Sequence, residues 1–303
     1  MESRWNSDFD INGKMSQPAA RYREFAPCEA LREHVRAFFS CTSPTESNPP
    51  DRPITREVLV REFCPAVFAD GHVSIVVGFG REYREDGLWH QGSAQPRGEA
   101  IGAMTAVRPA SAGPRLEMAG AYFRPAGAAL FTNVPACELT DRVVALEDLW
   151  GAAGSELEAG IGEAKGEAAR IGWMECALLR QLAKVRSRGA ALDVPGLAAC
   201  ILRRRGRLAV QHLAEAAGVS RQRLTRVFRE AVGVSPKLYC RLARFQAAMA
   251  HARAGTSVDW AQVAVELGYT DQSHMIAEFR EFSSVTPGAL ATRRFFHPFL
   301  GGY

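Results

Sequence analysis

Between Ser220 and Arg226 the chain reads Ser-Arg-Gln-Arg-Leu-Thr-Arg, which sets three guanidinium groups, a carboxamide and two hydroxyls around one apolar residue. These are hydrogen-bonding groups, not nucleophiles paired with a base. A guanidinium can bridge guanine O6 and N7, and a glutamine amide can bridge adenine N6 and N7. Each good pair is worth about 1–3 kcal/mol of discrimination between bases. The candidate readers are therefore Ser220, Arg221, Gln222, Arg223, Thr225 and Arg226. Fifty residues later a second set, Thr270, Asp271, Gln272, Ser273 and His274, is less basic and suits phosphate or mixed contacts. The chain shows no GxSxG, P-loop or HExxH motif, so these familiar routes to catalysis have no anchor.

Groups of this kind read a duplex only if a helix presents them, and an internal repeat supplies that helix twice. Leu213-Ala214-Glu215-Ala216-Ala217-Gly218-Val219-Ser220 lines up with Val263-Ala264-Val265-Glu266-Leu267-Gly268-Tyr269-Thr270. In each copy a short helix runs into a glycine, which reverses the chain at positive φ with little steric cost. Ser220 and Thr270 then stand where a hydroxyl can cap the following helix. Helix, short turn and second helix is the layout of a helix-turn-helix, whose second helix enters the major groove by its N-terminal part.

The second helices repeat as well. Val227-Phe228-Arg229-Glu230 matches Glu278-Phe279-Arg280-Glu281, with one extra residue in the second copy. Leu224 with Phe228, and Met275 with Phe279, lie four apart and predict a buried face on each helix. The copies end in Gly233-Val234-Ser235-Pro236 and Ser284-Val285-Thr286-Pro287. Between them Lys237 to Arg253 predicts one long helix with a buried stripe of Leu238, Leu242, Phe245 and Met249, closed by Gly255. Two plain αα-hairpins would give the same apolar pattern. The free faces, rich in arginine and glutamine, favour DNA over that reading.

Charge divides in the same sense. From Gly196 onward there are 15 Lys/Arg against 7 Asp/Glu, whereas residues 1–195 hold 22 against 26. A total of +4 hides a basic C-terminal third on an acidic body, which fits a polyanionic partner at one end. No stretch reaches the roughly 18 apolar residues of a membrane span, and Met1 to Gln17 lacks the apolar core of a signal peptide. The seven cysteines, Cys28, Cys41, Cys64, Cys137, Cys176, Cys200 and Cys240, are scattered without a CxxC pair. They predict small buried residues in a reducing cytoplasm, with no metal site and no cofactor.

The N-terminal half predicts short strands. Val73 to Phe79 is a β-branched run between the turn signals Asp70-Gly71 and Asp86-Gly87, and a second strand runs from Leu116 to Arg124 and stops at Pro125. Pro49-Pro50 and Pro53 punctuate loops, and Pro135 opens a helical turn. From Gly154 to Arg188 one amphipathic helix is expected, striped by Ile171, Met174, Leu178, Leu179 and Leu182, that either packs on its own domain or dimerises. Ser187-Arg188-Gly189 ends it, and Asp193 before Val194-Pro195 caps the next.

Residues Leu197 to Arg294 resemble the DNA-binding domain of the AraC/XylS family. The resemblance rests on Leu267-Gly268-Tyr269-Thr270-Asp271-Gln272-Ser273-His274, on Glu278-Phe279-Arg280 and on the Gly233-Val234-Ser235-Pro236 box. It departs from the family at Met275, where phenylalanine is usual, and at Ser284, where glycine is usual. The N-terminal half resembles an uncharacterised sensor-type domain through Phe123-Arg124-Pro125, Gly127-Ala128-Ala129, Val134-Pro135-Ala136, Glu138 to Val143 and Leu146 to Gly151. There Tyr122, Arg124 and Trp150 either line a pocket or serve structure, with Arg124 paired to Asp141 or Glu138. Trp89 and Trp173 read as core more readily than as ligand platforms.

The resemblance implies an α+β chain in five parts. These are a disordered terminus (1–20), a β-rich, barrel-like effector or dimerisation domain (21–151) and a helical linker (152–192), then an all-α domain with two helix-turn-helix units joined by a long helix (193–294) and a tail (295–303). It implies a non-enzymatic, cytoplasmic transcription regulator that places both second helices in successive major grooves, with Arg280 joining the DNA contacts. Double-stranded DNA is the implied partner, and a small-molecule effector, RNA polymerase and a second copy of the chain are further candidates. Two alternatives stand beside it. One is an architectural DNA binder without effector. The other is an enzyme resembling the DNA-repair methyltransferases that share this domain, which need a four-cysteine zinc site.

Overall fold

Short runs of alternating or β-branched apolar residues pair edge to edge and form the N-terminal domain. The fold is a computed structural model that describes residues 21–42, 66–67, 69–79, 82–85, 88–91, 97–106, 108–109, 117–185, 192–253 and 258–291. Residues 1–20, 187–189 and 295–303, the prolines at 49, 50 and 53, Cys64, the 86–87 turn and Gly255 lie outside the described residues.

The strands are β1 (Arg21–Phe25), β2 (Val35–Thr42), β3 (Ala66–Val67), β4 (Ser74–Gly78), β5 (Glu82–Glu85), β6 (Leu88–Gln91), β7 (Arg97–Ile101), β8 (Arg108–Pro109), β9 (Glu117–Phe123) and β10 (Val143–Ala145). Six of them form one antiparallel sheet in the order β1-β2-β9-β4-β7-β10, and β3–β8 and β5–β6 make separate two-stranded ribbons. Register is fixed by burial: Ile75 and Val77 of β4, Ala100 of β7 and Ala119, Ala121 and Phe123 of β9 all turn into one core.

Helices α1 (Ala136–Leu139), α2 (Leu146–Trp150), α3 (Ala152–Glu163) and α4 (Glu167–Lys184) follow. Pro135 stands at the N-cap of α1. The single helix expected from Gly154 to Arg188 is two, broken at Ala164–Gly166 where Gly166 takes φ of 89°. Leu157 and Ile161 of α3 and Ile171, Met174 and Leu178 of α4 pack into the same core as the sheet. The segment expected as a linker thus covers the sheet, because its apolar stripe finds its partner there. Trp150 is core, its indole N–H donating to the Phe131 carbonyl at 2.6 Å. Arg124 donates to the Arg32 carbonyl at 2.8 Å instead of to a carboxylate, and Asp141 binds the amide and hydroxyl of Thr105. Trp173, expected in the core, is 36% exposed. The cysteines also differ from expectation: Cys41 and Cys240 are buried, but Cys176 is exposed and Cys28, Cys137 and Cys200 are half-buried.

The C-terminal domain is helical throughout: α5 (Val194–Arg203), α6 (Val210–Ala216), α7 (Arg221–Val232), α8 (Pro236–Arg253), α9 (Trp260–Glu266), α10 (Gln272–Ser283) and α11 (Pro287–Ala291). Asp193 caps α5 by accepting from the Gly196 amide. Leu242, Phe245 and Met249 of α8 are fully buried and Leu238 partly so, which makes α8 the spine of a core shared by both halves of the domain. Ala69 and Ala103 of the N-terminal domain join that core, so the two domains meet along α8.

Candidate nucleic-acid interface

Each unit builds its presenting helix from the same local parts. After α6, Gly218 takes φ of 63°, and after α9, Gly268 takes φ of 73°. A side chain there would meet the Cβ–carbonyl clash that disfavours left-handed backbone, so glycine makes both turns. The Ser220 hydroxyl accepts from the Arg223 amide at 3.2 Å and caps α7. In the second copy the cap is not Thr270. Asp271 accepts from the His274 amide at 2.7 Å, and α10 begins one residue later than the repeat predicts. The extra residue of this copy shifts the boundary, and a carboxylate is favoured at a helix N-terminus by the macrodipole. Thr270 instead lies 3.3 Å from the His274 ring through its hydroxyl.

Buried side chains fix both helices on α8. Leu224 and Phe228 of α7 are fully buried, with the Phe228 ring edge-on to Tyr239 at 5.5 Å. Met275 and Phe279 of α10 are equally enclosed, with Phe279 edge-on to Phe245 at 5.0 Å. These anchors leave the opposite faces in solvent. Arg221, Gln222, Arg223 and Arg226 are exposed on α7, with Thr225 half-buried between them, and Thr270, Asp271, Gln272, Ser273, His274 and Arg280 are exposed on and around α10. Ser284 closes α10 in the left-handed region at φ of 62°, so the turn carries its Cβ.

The arginines divide into two kinds. Among the described residues Arg221, Arg223, Arg226, Arg229 and Arg280 make no ion pair. Arg241 and Arg244 of α8 are spent on structure. They pair with Glu278, which is buried and also accepts from the Tyr269 hydroxyl at 2.8 Å, and Arg241 also reaches Glu281. This cluster locks α10 to α8, a positioning role that the repeat alone does not reveal. Its signal is an acidic residue at 278 where the first copy has Val227.

The N-terminal domain reaches the first unit directly. Thr140 donates to the Gly233 carbonyl at 2.8 Å, and Gln246 of α8 donates to the Asp70 carbonyl at 2.7 Å. Beside these contacts an open cleft of about 640 Å³ separates Cys137 of α1 from Arg221, Gln222, Thr225, Arg226 and Arg229 of α7. With Glu230, six polar residues of α7 share one concave surface, four of them candidate readers. Among the described residues no group of three or more His, Cys, Asp or Glu is placed to hold a metal ion. No helix among them is long and apolar enough to cross a membrane.

Residues 213–293 match the family described as a helix-turn-helix domain. The chain carries an AraC-type helix-turn-helix domain. Residues 23–145 match a domain of unknown function (DUF6597), which precedes it. This match supports a DNA-binding transcription regulator. Similar solved structures include ToxT from Vibrio cholerae O395, 12% identical over 74% of this chain and 86% of that one at a TM-score of 0.36. A second ToxT structure from Vibrio cholerae is 9% identical over 74% and 91% at a TM-score of 0.40. The xylose-binding transcription activator XylR is 19% identical over 41% of this chain at a TM-score of 0.30, and this chain spans 39% of XylR. These likenesses are loose, and the assignment rests on the family match. No curated protein matches the chain in sequence.

Proposed function

We propose that residues 193–294 bind duplex DNA by setting the N-terminal turns of α7 and α10 into successive major grooves, and that this sequence-dependent binding regulates transcription without enzymatic activity. The observation that carries the reading is the shared mounting of the two helices. Each is pinned to α8 by an aromatic pair, Phe228–Tyr239 and Phe279–Phe245, while its polar first turns stay exposed. An 18-residue α8 is about 27 Å long, of the same order as the ~34 Å between successive major grooves on one face.

Within this reading Arg221, Gln222, Arg223 and Arg226 supply base and phosphate contacts from α7, with Ser220 and Thr225 at the groove edge. Gln272, Ser273 and His274 do the same from α10, Thr270 and Asp271 frame its first turn, and Arg280 takes a phosphate. The N-terminal domain acts as the regulatory half. Its packing on α7 and α8 gives a bound effector, or a second copy of the chain, a direct route to the first reading helix. The Asp271 cap and the absence of arginine from the first turn of α10 favour a second, narrower version, in which α10 positions and α7 alone reads.

Titration of the full chain with mixed-sequence duplex at two salt concentrations tests the DNA reading. Neutralising Z phosphates gives log K against log salt a slope of about −0.9Z, and four to six arginine contacts should give roughly −4 to −5. Binding that is absent, or indifferent to salt, would remove the proposal.

A further inference from the structure

Helices α3 and α4 pack together and leave a cleft of about 270 Å³ between them. Its apolar walls are Ala153 and Leu157 of α3 and Ala177 of α4, and small side chains on both helices are what hold it open. Trp173 forms one end. Its ring rests on Gly160, where an added Cβ would stand 2.5 Å from it, so the glycine seats the indole with part of its surface left in solvent. Lys184 and Arg180 stand at the cleft as cations. Arg180 is held by Glu156 across the opening at 2.7 Å, an exposed pair of small net worth that can part. Among the described residues Lys184 has no ion-pair partner.

The telling residue is Gln181. It is 5% exposed, it lines the cleft, and its side-chain amide makes no hydrogen bond to any described residue. Its amide oxygen and nitrogen are not fully enclosed, so they meet the water of the cleft, which the polar group of a ligand can replace. Apolar walls, an indole face, one unspent amide and one unspent cation form the pattern of a small-ligand site: a greasy body with a few convergent polar groups.

We propose that the α3–α4 cleft binds a small organic acid, with its flat apolar body between Leu157, Ala177 and Trp173 and its carboxylate received by the Gln181 amide and Lys184. As the site of an effector, it rests on the regulatory reading of the N-terminal domain given above. The volume suits a molecule of about ten non-hydrogen atoms. Occupancy would tie the end of α4 to α3, close to where the chain leaves for the DNA-binding domain.

Phenylacetate is a suitable probe, with phenylacetamide and phenethylamine as neutral and cationic isosteres, titrated calorimetrically into the full chain. The site predicts saturable binding of phenylacetate with Kd below about 1 mM. Phenylacetamide should bind about 5-fold or more weakly, and phenethylamine should not bind. Lys184→Met should weaken phenylacetate about 5- to 10-fold, Gln181→Leu should weaken it similarly, and Ala177→Phe, which fills the space, should abolish it. Thermal melts of each variant show that the fold is kept. No saturable binding of phenylacetate, or binding untouched by Ala177→Phe and Lys184→Met in folded protein, overturns the site. Affinity for a selected duplex, measured with and without phenylacetate, separates the two claims. Binding that leaves DNA affinity unchanged keeps the site and removes the effector reading.

Discussion

Tyr269 donates its hydroxyl to Glu278 across the second helix-turn-helix unit, at 2.8 Å and out of solvent. The tyrosine belongs to the turn before α10 and the glutamate to its buried face, so the bond ties the reading helix to its own turn. Arg241 and Arg244 extend the tie to α8, and the Arg244 guanidinium also lies 5.1 Å from the centre of the Tyr269 ring. Orientation of α10 is therefore set by this charged cluster together with the packing of Met275, Phe279 and Phe282, whereas α7 rests on the apolar packing of Leu224, Phe228 and Val232.

Removing the carboxylate should be costly, since it strands two half-buried cations and a buried hydroxyl. Glu278→Ala is expected to lose about 3 kcal/mol of stability, and Glu278→Gln, which keeps an acceptor, should lose less. Urea unfolding of the three proteins checks the order. A Glu278→Ala protein as stable as the parent would show the cluster to be incidental.

The caps make a smaller and separable prediction. Asp271→Ala and Ser220→Ala should each cost about 1 kcal/mol, with Asp271 the larger because its charge also meets the helix dipole. Asp271→Asn should recover most of the loss. If Thr270→Val proved the costlier change, α10 would begin at Asp271 and not at Gln272.

Stability should depend on pH through the domain boundary. Burial pushes Asp70 up from 3.8 to about 7 and His72 down from 6.5 to about 3, so both are favoured neutral in the folded protein. Ionising Asp70 lowers stability as pH rises from 3.8 through 7, and protonating His72 lowers it as pH falls from 6.5 toward 3. Asp70→Asn removes the first effect only. Its stability relative to the parent should increase between pH 5 and pH 8, and a flat or falling difference in unfolding free energy would contradict the assignment.

Two arginines should behave differently on DNA. Arg223→Ala is expected to relax base preference at one position by about 1–3 kcal/mol. Arg280→Ala should weaken all sequences alike and reduce the salt slope by about 1. Binding curves on a small set of single-base variants at two salt concentrations distinguish these outcomes.

Much of the C-terminal domain was legible in the sequence because its determinants are local. Gly218 and Gly268, the Ser220 cap, and the pairs Leu224–Phe228 and Met275–Phe279 act within one or two turns of helix, where spacing specifies geometry. What escaped depends on distant or competing groups. The cap at Asp271 instead of Thr270 follows from one inserted residue that two adjacent capping types leave unresolved. The break at Ala164–Gly166 had a local signal in Gly160, Gly162 and Gly166, three glycines within seven residues, which the strong apolar stripe from Ile171 onward masked. The Thr140–Gly233 bond joins residues 93 apart, and no periodicity announces it. The residue type of Trp173 suggests core, but its ring rests on Gly160 at the surface and the residue stays 36% exposed.

The central claim is that α7 and α10 each read a groove, and a selection of bound duplexes from a random library by the full chain tests it most directly. The account predicts enriched sites with two elements about 10 bp apart. Arg223→Ala should alter only one element and Gln272→Ala only the other. A single enriched element, or two elements that both change with Arg223 alone, would contradict paired reading.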